Sequence, residues 1–224
     1  TVCYNNVPVK IVGSHAGVNV GADGATHQAL EDIALMRVLP NMTVVVPCDA
    51  EEARKATLAL AESKGPCYLR LTREKIAVFT TPDTPFEIRK AEVIYEPPKG
   101  KPMVAIIACG PMVYQALLAA EALAGQGTKV CVFNSHTIKP LDENAIIKAA
   151  KLSGAVVTVE EHQIHGGLGS AVAEVLSQHY PVPMEFVGVN DQFGESGSAT
   201  ELLRKYKLDV PAIIDAVHKV ITKK

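Results

Sequence analysis

Two histidines and an aspartate lie in one glycine-rich stretch, Gly13-Ser14-His15-Ala16-Gly17-Val18-Asn19-Val20-Gly21-Ala22-Asp23-Gly24-Ala25-Thr26-His27-Gln28, and an arginine, Arg73, closes a later apolar run. Imidazoles and a carboxylate at separated points of one loop can hydrogen-bond hydroxyl groups and move protons. A guanidinium is a planar, permanently charged fork that suits an oxyanion. Glycines in such a loop admit positive φ and let the backbone approach a bound molecule. Taken singly, each residue has a structural reading. A histidine can be held inside a glycine-rich turn, Asp23-Gly24 is an ordinary turn pair, and Arg73 near Arg70 can be a solvated strand end. Their placement together points to ligand binding.

The elements that must position these residues follow from hydrophobic periodicity. Short β-rich runs alternate with amphipathic stretches, the pattern of parallel sheets covered by helices. Strands are expected at Val9 to Val12, Thr43 to Val46, Cys67 to Leu71, Val104 to Ala108, Lys129 to Phe133, Ala155 to Val159 and Met184 to Val187. Val113, Ala116, Leu117, Ala120 and Ala124 share one helical face, as do Leu168, Ala171, Val172, Val175 and Leu176. Asp142 is placed to cap a third helix, and Ala212 to Val220 reads as a fourth. Between Thr80 and Pro102 the rhythm breaks into prolines, charges and glycine, with a brief strand expected within Phe86 to Ile94. The reading is therefore α/β, two consecutive parallel-sheet units with the first incomplete at its N-terminus. The expected division is 1–80, a linker over 81–100, and 101–224.

Composition bounds the partners. The chain has 224 residues, 48% of them hydrophobic, and a formal net charge of -2, which gives no electrostatic reason to expect nucleic acid or an anionic membrane surface. No apolar run approaches the roughly 20 residues that span a bilayer. Cys3, Cys48, Cys67, Cys109 and Cys131 are widely spaced within apolar segments, without a C-x-x-C pair, and read as reduced core thiols of a cytoplasmic protein. The chain opens on Thr1 within a few residues of a strand, so its beginning is expected elsewhere. Two further motifs have competing readings. Gly167-x-Gly169 opens a helix after a strand as a phosphate loop does, but Val172 stands where the dinucleotide fingerprint has its third glycine, so close strand-to-helix packing is favoured. His162 and His165, preceded by Glu160 and Glu161, have metal-like types without a further partner, and a structural or interface role is favoured.

The word Asp23-Gly24-x-Thr26-His27-Gln28, with Ser14-His15-x-Gly17 before it, closely resembles the signature loop of transketolases in their pyrimidine-binding domain. The resemblance continues through Gln28-Ala29-Leu30-Glu31-Asp32, Arg37-Val38-Leu39-Pro40-Asn41, Pro47-x-Asp49-Ala50 and Leu71-Thr72-Arg73. It resumes in Thr137-Ile138-Lys139-Pro140-Leu141-Asp142, in Glu160-Glu161-His162 with Gly166-Gly167-x-Gly169-Ser170, and in Phe193-Gly194-x-Ser196-Gly197. It implies a partial pyrimidine-binding domain over 1–80 and a transketolase-type C-terminal domain over 101–224. It also implies thiamine diphosphate and Mg2+ or another divalent metal as cofactors, and transfer of a two-carbon ketol unit between ketose and aldose phosphates, as in the pentose phosphate pathway. On matching positions His15 and Arg73 would contact the sugar phosphate, Asp23 a donor hydroxyl, and His27 the cofactor's thiazolium side in a catalytic role. The metal and diphosphate would be held by an N-terminal transketolase portion or subunit, in a homodimer or heterotetramer, and the chain alone would be inactive. The resemblance leaves alternatives open. Deoxyxylulose-phosphate synthase shares the Asp-Gly-x-Thr-His word, but its Asp-Arg-Ala-Gly entrance is replaced here by Ser14-His15-Ala16-Gly17. A dehydrogenase E1 β-type subunit accounts for the second half only. A non-enzymatic assembly or regulatory fragment is the alternative from another class.

Overall fold

The computed structural model describes residues 1–224. Its first sheet is built by β1 (Lys10–Gly13), β2 (Thr43–Val45) and β3 (Cys67–Arg70), with α1 (Asp32–Arg37) and α2 (Ala50–Ala61) between the strands. The second is built by β4 (Glu92–Tyr95), β5 (Val104–Ala108), β6 (Val130–Asn134), β8 (Val156–Gln163) and β9 (Met184–Val189). The helices of this half are α3 (Met112–Gly125), α4 (Glu143–Ser153), α5 (Leu168–His179), α6 (Ala199–Lys205) and α7 (Val210–Ile221). One short strand, β7 (Thr137–Lys139), leaves the second half to join the first sheet. Strand order is β1-β3-β2-β7 in the first sheet and β4-β6-β5-β8-β9 in the second.

All five residues of β5 are buried, because helices cover both faces of a central parallel strand, and this explains its uninterrupted apolar run. Helix starts follow local chemistry. The Asp142 carboxylate accepts from Ala145 N–H at 3.1 Å, as its capping position predicts, while Gly154 closes α4 with φ 71°. Ser198 and Glu201 form a reciprocal capping box at α6. Helix α7 turns Ile213, Ala216, Val217 and Val220 into the core. No helix is long and apolar enough to cross a membrane. All five cysteines are free and buried.

Several expectations are corrected here. The brief strand expected within Phe86 to Ile94 lies instead at Glu92–Tyr95, and it pairs antiparallel with β6. Helices α1, α2 and α6 carry no long apolar stripe and were not expected from periodicity. Nor was β7, which pairs antiparallel with β2 through Val44↔Lys139 and Val45↔Thr137. The hydrophobic clusters also cross the proline-rich segment. One joins Val18, Leu30 and Cys48 to β5, α3 and α7, and another joins Ile33, Met42, Val44 and Tyr68 to β5, α4 and α5. The halves of the chain therefore share both a sheet and their cores.

Candidate functional site

The glycine-rich stretch leaves β1 and is tied at both ends to the first sheet. Leu71 N–H donates to Gly13 O at 2.8 Å, Ala16 N–H to Leu71 O at 3.1 Å, and Gly17 N–H to Ala29 O at 2.9 Å. An isolated parallel bridge joins Ala16 to Ala29. His15 directly precedes that bridge and His27 lies two residues before its far end, so both histidines flank the closure of the loop. Arg73 follows Leu71 by two residues and enters the same region from the exit of β3.

All four expected site residues are exposed. The His15 backbone has φ 61°, which costs a non-glycine residue energy and is common at ligand sites. Its Nδ1 is 3.1 Å from Ser14 Oγ, and Nδ1 of His27 is 3.0 Å from Thr26 Oγ1. Each ring is thus oriented through one nitrogen, and neither Nε2 has a protein partner. Arg73 Nη1 donates to Val20 O and to Asp23 Oδ2, both at 2.8 Å. That leaves Nε and Nη2, the bidentate side of the fork, open. The structure therefore brings Arg73 onto Asp23, a pairing that spacing gave no means of anticipating.

Beneath the loop is a buried polar layer that sequence reasoning missed. The Glu161 carboxylate accepts from Asn19 N–H at 2.7 Å and from Asn19 Nδ2 at 2.8 Å. Gly17, at φ 91°, passes so close to this carboxylate that a Cβ there would lie 2.3 Å from Glu161 Oε1. Gln28 Nε2 donates to Gly21 O at 3.1 Å and to Glu195 O at 2.9 Å. Arg70 pairs with Asp32 at 2.8 Å and donates to Ala29 O and Glu161 O, so it is a buried structural cation rather than a companion of Arg73. Burial pushes the carboxyls of Glu160 and Glu161 up to about 7. The available signal was the pair Glu160-Glu161 continuing an apolar strand, since charges in a fully buried strand must find partners.

The second glycine word is also resolved. The Glu160 carboxyl accepts from Leu168 N–H at 2.7 Å and Gly169 N–H at 2.8 Å, so the first free N–H groups of α5 are already taken by a group of this chain. A Cβ on Gly167 would lie 2.0 Å from Glu160 Oε2, and one on Gly169 would meet Phe186 and Thr158. Packing against strands is what these glycines serve. His162 is buried, with Nε2 accepting from Ala34 N–H and Nδ1 2.7 Å from Gln163 O; burial lowers it to about 4 and keeps it neutral. No group of three or more His, Cys, Asp and Glu side chains could hold a metal ion.

Both halves of the chain match a known family. Residues 1–78 match the transketolase pyrimidine-binding domain, and residues 95–213 match the transketolase C-terminal domain. The chain is 42% identical over 224 residues to the 6-deoxy-6-sulfo-D-fructose transketolase subunit SqwH of Clostridium sp. (strain MSTE9), covering 100% of this chain and 68% of that protein. It is 41% identical over 225 residues to a putative transketolase C-terminal section of Methanocaldococcus jannaschii, covering 99% and 69%. A solved split-gene transketolase, described as an inactive beta4 tetramer, superposes with a TM-score of 0.90 at 46% identity, over 99% of this chain and 69% of that one. With both domain models matched and relatives aligned over its whole length, the chain belongs to the transketolase family, as a C-terminal section of such an enzyme.

Proposed function

We propose that this chain is the sugar-recognising part of a thiamine-diphosphate-dependent transketolase that transfers a two-carbon ketol unit between ketose and aldose phosphates. The observation that carries the reading is the Arg73–Asp23 pair, with the guanidinium fork left open, on the glycine-rich loop that also carries His15 and His27, each with an unpartnered Nε2. That donor set suits a polyhydroxylated, anionic sugar. Arg73 and His15 hold the anionic end, Asp23 accepts from a donor hydroxyl, and His27 stands at the reacting end, where it binds a hydroxyl or moves its proton. When bound, thiamine diphosphate supplies the carbon nucleophile and the electron sink. His27 is the residue of this chain that would face its thiazolium side.

The metal–diphosphate end finds no ligand cluster on this chain, and we assign it to an N-terminal portion or subunit. In this arrangement residues 1–80 belong to the pyrimidine-binding side and 101–224 to the C-terminal domain, and the segment 81–100 that joins them also contributes β4 to the second sheet. That one relative is named a subunit and a solved neighbour is a split-gene enzyme supports a multimeric assembly with such a partner. The Clostridium relative is named for a sulfonated sugar, so the anion at Arg73 and His15 is tested with both phosphate and sulfonate. The experiment combines the chain with its N-terminal portion, thiamine diphosphate and Mg2+, and follows ketol transfer from phosphorylated and sulfonated ketoses. Transfer that His27→Ala abolishes supports the reading. A combined enzyme that forms, binds the cofactor and transfers no ketol unit from any such sugar rejects it.

A further inference from the structure

The sugar-recognising loop is held from below by the other half of the chain. Glu161 comes from β8, in the second sheet, while its two hydrogen-bond donors both belong to Asn19, midway between His15 and Asp23. Asn19 N–H donates to one oxygen of Glu161 and Asn19 Nδ2 to the other, which turns the Asn19 amide nitrogen toward Glu161. The contact is buried, with Asn19 4% and Glu161 2% exposed, both at the wall of a cavity of about 290 Å³. Gly17 is in van der Waals contact with the same carboxylate and has no room for a side chain. The remainder of the loop meets the same half of the chain. Gln28 donates to Glu195 O, and Gly24 lies against Ser196, where an added Cβ would be 2.7 Å from Oγ. None of Asn19, Gln28 or Glu161 is exposed.

We propose that Glu161 is a positioning residue: by binding Asn19 it holds residues 17–21 down and thereby keeps His15, Asp23 and Arg73 in the arrangement that recognises the sugar. Its effect on the sugar rests on the function proposed above; its effect on the loop does not. Arg73 is coupled to the same segment, because its Nη1 donates to Val20 O, the residue after Asn19. Loss of the Glu161 contact frees Asn19, lets Val20 shift, and removes the acceptor that orients Arg73. The second half of the chain thus sets substrate affinity without touching substrate.

The test uses Glu161→Ala, Glu161→Gln, Asn19→Ala and the double variant Asn19→Ala/Glu161→Ala. Amide hydrogen exchange is followed in this chain and sugar kinetics in the enzyme combined with its N-terminal portion. In Glu161→Ala and Asn19→Ala, exchange of the 13–28 amides should accelerate about tenfold or more while β5, β6 and β8 keep wild-type protection. KM for the sugar donor should rise about 10- to 100-fold, the factor expected from leaving buried N–H donors unpaired in a loop, with a far smaller fall in kcat. Glu161→Gln, which still accepts from Asn19 N–H, should restore most of both properties. The double variant should be no worse than Glu161→Ala alone, because the two residues act through one contact. Unchanged exchange of the loop, acceleration spread evenly over the chain, or additive losses in the double variant would each overturn the proposal. If loop exchange responds as expected but the wild-type enzyme transfers no ketol unit, the positioning role stands and the transketolase activity falls.

Discussion

Replacing Arg73 by alanine separates anion recognition from loop structure, because the structure bounds each contribution. Arg73 pairs with Asp23 through Nη1, with side chains 39% and 44% exposed. An ion pair so open to solvent is worth about 0–1 kcal/mol, or at most about fivefold in an equilibrium. The free side of the guanidinium, Nε and Nη2, is the part available to a phosphate oxygen pair, and a charge-assisted contact of that kind is worth about 1.5–3 kcal/mol. In the enzyme completed with its N-terminal portion, kcat/KM for a phosphorylated ketose should therefore fall roughly 10- to 100-fold in Arg73→Ala. For the non-phosphorylated ketose it should fall no more than about fivefold, the share due to the freed Asp23 and Val20. Arg73→Lys keeps the charge but loses the fork and should lie between the two for phosphate. The assay is initial-rate ketol transfer from matched ketoses that differ only in the terminal phosphate, with a sulfonated ketose as a third arm. Equal losses for all three sugars in Arg73→Ala would refute anion recognition and leave Arg73 as a strut between β3 and the loop.

The purified chain, supplied with thiamine diphosphate, Mg2+ and a ketose–aldose phosphate pair, should show no ketol transfer, since the proposed function assigns the metal–diphosphate end to an N-terminal portion; turnover by the chain alone would contradict this. Asp49 caps α2 through Glu52 N–H and also receives Phe79 N–H, Thr80 N–H and Thr80 Oγ, so Asp49→Ala should cost about 3 kcal/mol, combining a lost cap with a buried N–H left unpaired. In a chain of this size that is about 6–12 °C in Tm by circular dichroism, with Asp49→Asn losing less. Burial holds Glu160 and Glu161 at about 7, up from 4.5, and His136 and His162 at about 4, down from 6.5. The folded glutamates keep protons that the unfolded chain releases, so their contribution to stability falls as pH rises from about 4.5 to 7; the histidines do the reverse between about 4 and 6.5. These slopes oppose one another. His136→Phe should therefore lose about 1.5 kcal/mol relative to wild type between pH 5 and 6.5 in urea unfolding, and parallel pH profiles would refute the assignment.

Much of this protein was legible in its residues because the signals are local. Val104 to Ala108 is apolar without interruption, and only a strand buried on both faces tolerates that; it is β5 to the residue. The Asp142 cap, the apolar faces of α3 and α5, and the His15 to His27 word all lie within a turn or a loop of one another along the chain. Chain-distant pairing decided the rest. Lys139 and Thr137 entered the first sheet because β2 offered an open edge, and three residues are too few to show a period. Arg70 and Arg73 look alike in sequence, yet one is buried on Asp32 and the other stands open beside Asp23, a difference set by where β3 leaves the sheet. Glu161 reads as one charge in a pair, and only the packing of β8 beneath the glycine loop, 142 residues away along the chain, makes it the acceptor for Asn19. The sequence by itself determined which side chains were available and the local conformations that glycine, capping residues and apolar runs impose. Tertiary structure decided which of those side chains meet, because burial removes water as the alternative partner and a buried charge or amide can then pair only with groups the fold brings within reach.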